Sequence, residues 1–243
     1  MSRLLTHTDS ITGPVHFKTL GKLIAGVDDA GRGPIVGPLV IAGVLVQDDQ
    51  QQELRALGVK DSKMLTPEVR TKLDAKIRTV ASKISVVEAQ PKEIDDCVIH
   101  GVRLSRLNQL EARMMASVIG DLAPTEAYVD ASDVNEARYA DDIRQCLPDN
   151  LKSMRIVSEH YADRTYPAVS AGSIIAKVRR DSVIEQLHDQ YGDFGSGYLT
   201  DPKTMSFLRQ WRRTHHDYPS IVRLSWKTIK YLEGEIVQSR LGA

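Results

Sequence analysis

Two cysteines among 243 residues, Cys97 and Cys146, are too few and too far apart for a disulfide framework or a zinc site. They read as reduced thiols of a cytoplasmic chain. Net charge is also missing: 32 Lys and Arg balance 32 Asp and Glu, so any nucleic-acid surface must be a local patch. No apolar run approaches the length of a membrane span, and the N-terminus has no signal-peptide core, so no membrane partner is expected. The seven histidines are scattered, and His215-His216 has no metal partner at helical spacing. Internal repeats and low-complexity tracts are absent. The remaining composition is that of an ordinary globular protein, one large domain over 1–243 with its core at about 22–200 and a helical lobe at about 201–243.

What is present centres on residues 24–38. Leu23-Ile24-Ala25-Gly26-Val27 reads as a buried strand that ends on two adjacent carboxylates, Asp28 and Asp29. Gly31, Gly33, Pro34, Gly37 and Pro38 then make a turn, and Leu39 to Val46 returns as the antiparallel partner. Glycines flanking Arg32 let a ligand backbone approach the main chain. A polar segment at 50–57 predicts a short helix, and 58–65 a loop with two lysines. Thr66-Pro67-Glu68 predicts a helix start, with Thr as N-cap and Pro at the first position, running to about Ala81. Ile84 to Val87 reads as a strand, and Leu104, Leu107, Met114 and Val118 mark one face of a helix ending near Leu122. Ala127 to Ser132 and Arg155 to Ser158 are further strands. Helices follow at 169–191, about 202–213 and from about Trp226. This order predicts a mixed α/β sheet with helices packed on it.

Asp28, Asp29 and Asp130 fall at or near strand ends, and Ser173, Lys177 and Asp181 form one polar stripe at i, i+4, i+8. Carboxylates without His or Cys are the ligand set of a hard cation, Mg²⁺ or Mn²⁺, and two such ions can cleave a phosphodiester. Taken alone, Asp181 is one side of a surface salt bridge and Asp130 a strand-end cap. Lys60, Ser62, Lys63 and Lys177 suit phosphate contact, or are solvated side chains. Tyr198 in Phe194-Gly195-Ser196-Gly197-Tyr198 suits stacking on a sugar or base, or simple packing. His160 and Asp163 suit a local pair, with a packing role favoured over catalysis for both. The stretch 201–243 carries eight Lys and Arg, Arg223 among them, against four Asp and Glu, a basic flank for a nucleic-acid backbone.

In order, Gly26-Val27-Asp28-Asp29-Ala30-Gly31-Arg32-Gly33-Pro34, Lys60-Asp61-Ser62-Lys63, Val129-Asp130-Ala131, Ser170 to Val178 with Arg180-Asp181, Gly195-Ser196-Gly197-Tyr198 and Ser225-Trp226-Lys227-Thr228 resemble ribonuclease HII. The Gly-Ser-Gly-Tyr turn followed by Asp201-Pro202-Lys203-Thr204 resembles the archaeal form. The resemblance implies a ribonuclease H-like mixed sheet flanked by helices, with a C-terminal helical extension. It implies metal-dependent cleavage of RNA in RNA–DNA hybrids and incision 5′ of ribonucleotides embedded in duplex DNA. Asp28, Asp29, Asp130 and Asp181 would be the catalytic carboxylates of a two-metal Mg²⁺ or Mn²⁺ site. Gly31, Arg32 and Gly33 would read the 2′-hydroxyl, Tyr198 would pack on the following deoxyribose, and Lys60, Ser62, Lys63, Ser173 and Lys177 would contact the substrate. Three positions depart from the pattern: Asp29 stands for the usual Glu, Arg179 for Glu and Leu199 for Pro.

Two rival readings remain at this stage. One is the sister ribonuclease HIII, which usually has Glu as fourth carboxylate and a large N-terminal domain. The other is a weakly catalytic hybrid-binding module, because Asp29 alters the acidic set. A monomer is expected. Gln238 and Leu241 match half of a sliding-clamp peptide, but paired aromatics are absent, so no strong clamp binding is expected.

Overall fold

The computed structural model describes residues 21–59, 65–100 and 106–241, with backbone alone at 100 and from 235 on. Lys60, Ser62 and Lys63, and the side chains of Gln238 and Leu241, lie outside the described residues. The strands are β1 (Leu23–Ala30), β2 (Leu39–Gln47), β3 (Lys83–Ala89), β4 (Glu126–Asp130) and β5 (Arg155–Glu159). They form one sheet in the order β3-β2-β1-β4-β5. β1, β2 and β3 are an antiparallel meander, whereas β4 and β5 run parallel to β1. The helices are α1 (Gln51–Ala56), α2 (Pro67–Val80), α3 (Pro91–His100), α4 (Arg106–Leu122), α5 (Glu136–Cys146), α6 (Ala162–Thr165), α7 (Pro167–Tyr191), α8 (Pro202–Thr214) and α9 (Lys227–Leu241). Among the described residues no helix is long and apolar enough to cross a membrane.

β1 does not stop at Val27. Asp28 and Asp29 lie inside it, opposite Ala42 and Ile41 of β2. β4, conversely, ends on Asp130, short of the expected Ser132. Side chains alternate along a strand, and here the alternation sorts two cores. Ala25 and Val27 face α4, packing with Met115, Val118 and Ile119, whereas Ile24 and Ala30 face α7, packing with Ala171, Ile174 and Ile175. Both faces of the central strands are thus covered, which explains why β2 is apolar almost throughout.

α2 begins as expected, with the Thr66 hydroxyl accepting from the Val69 N–H at 3.4 Å. α7 is not simply two-faced: residues 168–176 are buried all round. Two glycines permit this. A Cβ at Gly26 of β1 would sit 2.0 Å from the Ala168 carbonyl carbon, and one at Gly172 would sit 2.9 Å from the Gly26 oxygen. The helix backbone therefore lies directly on the strand. A third core joins Ile35 and Val36, from the β1–β2 connection, to Ile184, Phe194, Leu208, Val222 and Ile229. It fixes α8 and α9 against the end of the sheet where Asp28, Asp29 and Asp130 lie.

Candidate active site

One open cavity of about 700 Å³ is lined by Asp28, Asp29, Asp130 and Asp181, brought from two parallel strands and a helix. Successive in β1, Asp28 and Asp29 point to opposite faces. Asp28 is buried on the α7 side, near Lys177 and hydrogen-bonded by Ser173. Asp29 is turned to the other side, where the Ser132 hydroxyl lies 3.5 Å from its Oδ1 and where it is near Glu111 of α4. Asp130 accepts from the Ala162 N–H at 2.8 Å, on a turn in which Tyr161 takes a left-handed conformation (φ 59°). Asp181 Oδ2 accepts from Arg70 Nη2 at 2.8 Å. The plain alternatives for these two residues, a cap and a salt bridge, are thus both present alongside their convergence on the cavity.

Burial, then Asp29 and Asp130, push the Asp28 carboxyl up to about 8, against the opposing pull of Lys177 and Ser173. An all-carboxylate donor set under mutual repulsion fits a hard divalent cation, which would relieve that repulsion. Among the described residues, however, no three His, Cys, Asp or Glu groups close around one point. The donors are gathered without forming a finished shell, and Asp181 is engaged by Arg70.

Beside the carboxylates runs the Gly31-Arg32-Gly33 segment. Gly31 needs its glycine: φ is +86°, and a Cβ would meet the Pro38 oxygen at 2.6 Å. Gly33 is open by comparison, a Cβ there meeting just the Tyr198 ring at 3.8 Å. The Arg32 side chain is committed sideways. Its Nε donates to Glu111 at 3.0 Å and its Nη2 to the side-chain Oδ1 of Asn108 at 2.7 Å. Asn108 in turn donates to Asp133, which Arg138 also binds. Tyr198, 41% exposed, faces this segment with the Arg180 guanidinium 5.2 Å from its ring centre.

Lys177 lines the cavity and donates to Ser173 Oγ at 2.6 Å, but Ser173 itself is fully buried. Ser173 therefore meets the cavity through Lys177 and Asp28. His160 also lines the cavity, yet it is not paired with Asp163: its Nδ1 lies 3.2 Å from the Ala131 oxygen and its N–H donates to Glu136. Asp163 is buried behind it.

Four residues that shape the site were not singled out from the sequence as site residues. Arg223, counted there as part of a basic flank, is instead fully buried. It donates to the carbonyl oxygens of Gly31 (2.6 Å), Arg32 (2.9 Å) and Gly37 (3.0 Å). Glu111, Arg70 and Arg180 were missed as well. No local pattern marks Arg223, Glu111 or Arg70, each defined by a partner far along the chain, whereas Arg180 stands beside Asp181 in one of the matching stretches and meets Ser196 and Tyr198.

A β3-β2-β1-β4-β5 sheet with carboxylates gathered beside β1, β4 and a long crossing helix defines the ribonuclease H-like class of α/β protein. The family model described as ribonuclease HII matches residues 25–229. The chain therefore belongs to the ribonuclease HII family, a family of endoribonucleases. It is similar to ribonuclease HII of Methanosarcina barkeri, 44% identical over 220 residues that span 88% of this chain and 96% of the relative. The crystal structure of ribonuclease H2 from Pyrococcus horikoshii OT3 is similar with a TM-score of 0.79 and 41% identity, over 88% of this chain and 98% of that one. Ribonuclease HII of Archaeoglobus fulgidus, solved as a complex with PCNA, is similar with a TM-score of 0.76 and 40% identity, over 86% and 96%. These archaeal relatives agree with the archaeal form read from the Gly-Ser-Gly-Tyr turn, and the sister family ribonuclease HIII is set aside as the assignment.

Proposed function

We propose that this chain hydrolyses the RNA strand of RNA–DNA hybrids and nicks duplex DNA on the 5′ side of embedded ribonucleotides. The observation that carries this reading is one cavity shared by Asp28, Asp29, Asp130, Asp181, the Gly31–Gly33 segment and Tyr198. The ribonuclease H names of its relatives support the hybrid as substrate. Mg²⁺ or Mn²⁺ held by the four carboxylates would supply an activated water and stabilise the leaving oxygen.

The rest of the work falls to the chain. Gly31, Arg32 and Gly33 present backbone to the ribose 2′-hydroxyl, the group that separates RNA from DNA. Arg223 and the Arg32–Glu111 pair hold that backbone still. Tyr198 packs on the next deoxyribose, Lys177 meets phosphate, and Lys60, Ser62 and Lys63 are assigned to phosphate as well. Hydrolysis breaks the P–O3′ bond before the ribonucleotide and leaves a 3′-hydroxyl and a 5′-phosphate. The protein acts as a cytoplasmic monomer.

A DNA duplex with one ribonucleotide, incubated with Mg²⁺ or Mn²⁺ and separately with a chelator, tests the proposal. A single nick 5′ of the ribonucleotide, abolished by the chelator, is the expected result. Cleavage of long hybrids with this substrate left intact would remove the single-ribonucleotide activity.

A further inference from the structure

The ion pair between Arg70 and Asp181 is the least expected contact in the cavity. Arg70 comes from α2 and Asp181 from α7, and both line the cavity wall. The Arg70 side chain is held at both ends of its guanidinium: Nη1 donates to the Leu65 carbonyl oxygen at 2.8 Å and Nη2 to Asp181 Oδ2 at 2.8 Å. Its Nε is buried without a hydrogen-bond partner, so the group is packed in place rather than extended into solvent. Asp181 is the more exposed partner, at 38% of its side chain. A positive charge thus rests on the same carboxylate that a divalent cation would require.

We propose that Arg70 is a built-in counter-cation, a positioning residue that holds Asp181 in the metal-free chain and competes with the divalent ion for it. This rests on the reading of Asp181 as a cation ligand. Two observations support the competition. Asp181 shares the cavity with Asp28, Asp29 and Asp130, yet its Oδ2 is already taken by the Arg70 guanidinium. Arg70 is also anchored to the Leu65 carbonyl oxygen, so its charge stays on Asp181 instead of swinging into solvent, and a cation must displace it to reach that carboxylate. Cation affinity at the Asp181 side of the site is therefore set by α2, an element that carries none of the carboxylates.

Titration of the full-length protein with Mn²⁺ alone, without nucleic acid, tests this by calorimetry and by the electron paramagnetic resonance signal of free Mn²⁺. Arg70→Gln should bind Mn²⁺ roughly three- to tenfold more tightly than the parent. Arg70→Lys keeps the charge and should stay near the parent, and it also checks that position 70 tolerates change. Asp181→Asn should weaken binding, and adding Arg70→Gln to it should restore little. Unchanged or weaker Mn²⁺ binding by a folded Arg70→Gln overturns the proposal, as does equal tightening in the Asp181→Asn background. If Asp181→Asn binds Mn²⁺ like the parent, the reading of Asp181 as a ligand fails instead, whatever Arg70 does.

Discussion

Arg223 donates at 2.6 Å to the carbonyl oxygen of Gly31, 192 residues earlier in the chain. With its bonds to Arg32 and Gly37, the buried guanidinium carries three backbone carbonyls, and Trp226 covers it, with the ring centre 5.0 Å away. Removing it strands those acceptors and leaves a void. Arg223→Ala should lose about 3–5 kcal/mol of stability, measured by urea unfolding. Arg223→Lys should recover part of the stability while raising KM for a ribonucleotide substrate, because one ammonium cannot span three carbonyls. Parent-like stability in the Ala variant would contradict this account.

Gly172 sets the seating of α7 on β1. A methyl there would meet the Gly26 and Ala42 oxygens at 2.9 and 3.1 Å, so backbone must move. Gly172→Ala should cost about 1–3 kcal/mol. It should also reduce kcat well below the melting temperature, because a shifted α7 carries Lys177 and Asp181 away from Asp28. Thermal melts paired with turnover at low temperature separate the two effects.

Glu111, 0% exposed, is the titrating group whose stability effect is cleanest to isolate. Burial first, then Asp29, push it up to about 8, although Arg32 pulls the other way. Its folded value lies above its unfolded one, so its contribution is full below about pH 4.5 and is lost as pH rises toward 8. In chelator, the parent should lose stability across that window, and Glu111→Gln should flatten the slope by up to about 1.4 kcal/mol per pH unit. Asp28 adds a slope of the same sign in both proteins, so the difference between them reports Glu111. Identical slopes from urea melts at pH 5, 6.5 and 8 would refute the assignment.

Asp29 reaches about 1–1.5 Å less far than the Glu usual in the family. Mg²⁺ is strict about near-octahedral geometry, whereas Mn²⁺ is more adaptable. Activity should be higher in Mn²⁺ than in Mg²⁺, and Asp29→Glu should shift the ratio toward Mg²⁺. Asp29→Asn should lose most turnover with either ion. Near-full activity in the Asn variant would make Asp29 a structural residue of β1.

Much of this was legible in the sequence where the cause is local. The hairpin, the Thr66 cap, the strand leading to Asp130 and the long helix carrying Asp181 each follow from apolar period, turn residues or capping chemistry. The strand end at Asp28 was misread because two adjacent charges look like a turn. In the structure they continue the ladder and divide between its faces. α3 and α5 went unread although their starts carry signals: Pro91 opens α3, and Asn135 accepts from the Arg138 N–H. Arg223 could not be told from a surface arginine, since Ile-Val-Arg-Leu does not encode which carbonyls will lie beside it. Arg70 and Glu111 share that fate, each acquiring its role from a partner on another element.

The Arg223 clasp has a consequence for synthesis. β1 and its loop leave the ribosome before β4 and α7, and the residue that braces positions 31–33 emerges after all of them. A growing chain can pair β1 with β2 at once, but the parallel pairing with β4 must wait for about a hundred residues. Asp28, Asp29, Asp130 and Asp181 are therefore all synthesised before the residue that braces the Gly31–Gly33 backbone. Until Arg223 is made, the carbonyl oxygens of Gly31, Arg32 and Gly37 lack the guanidinium that ties them together in the folded chain.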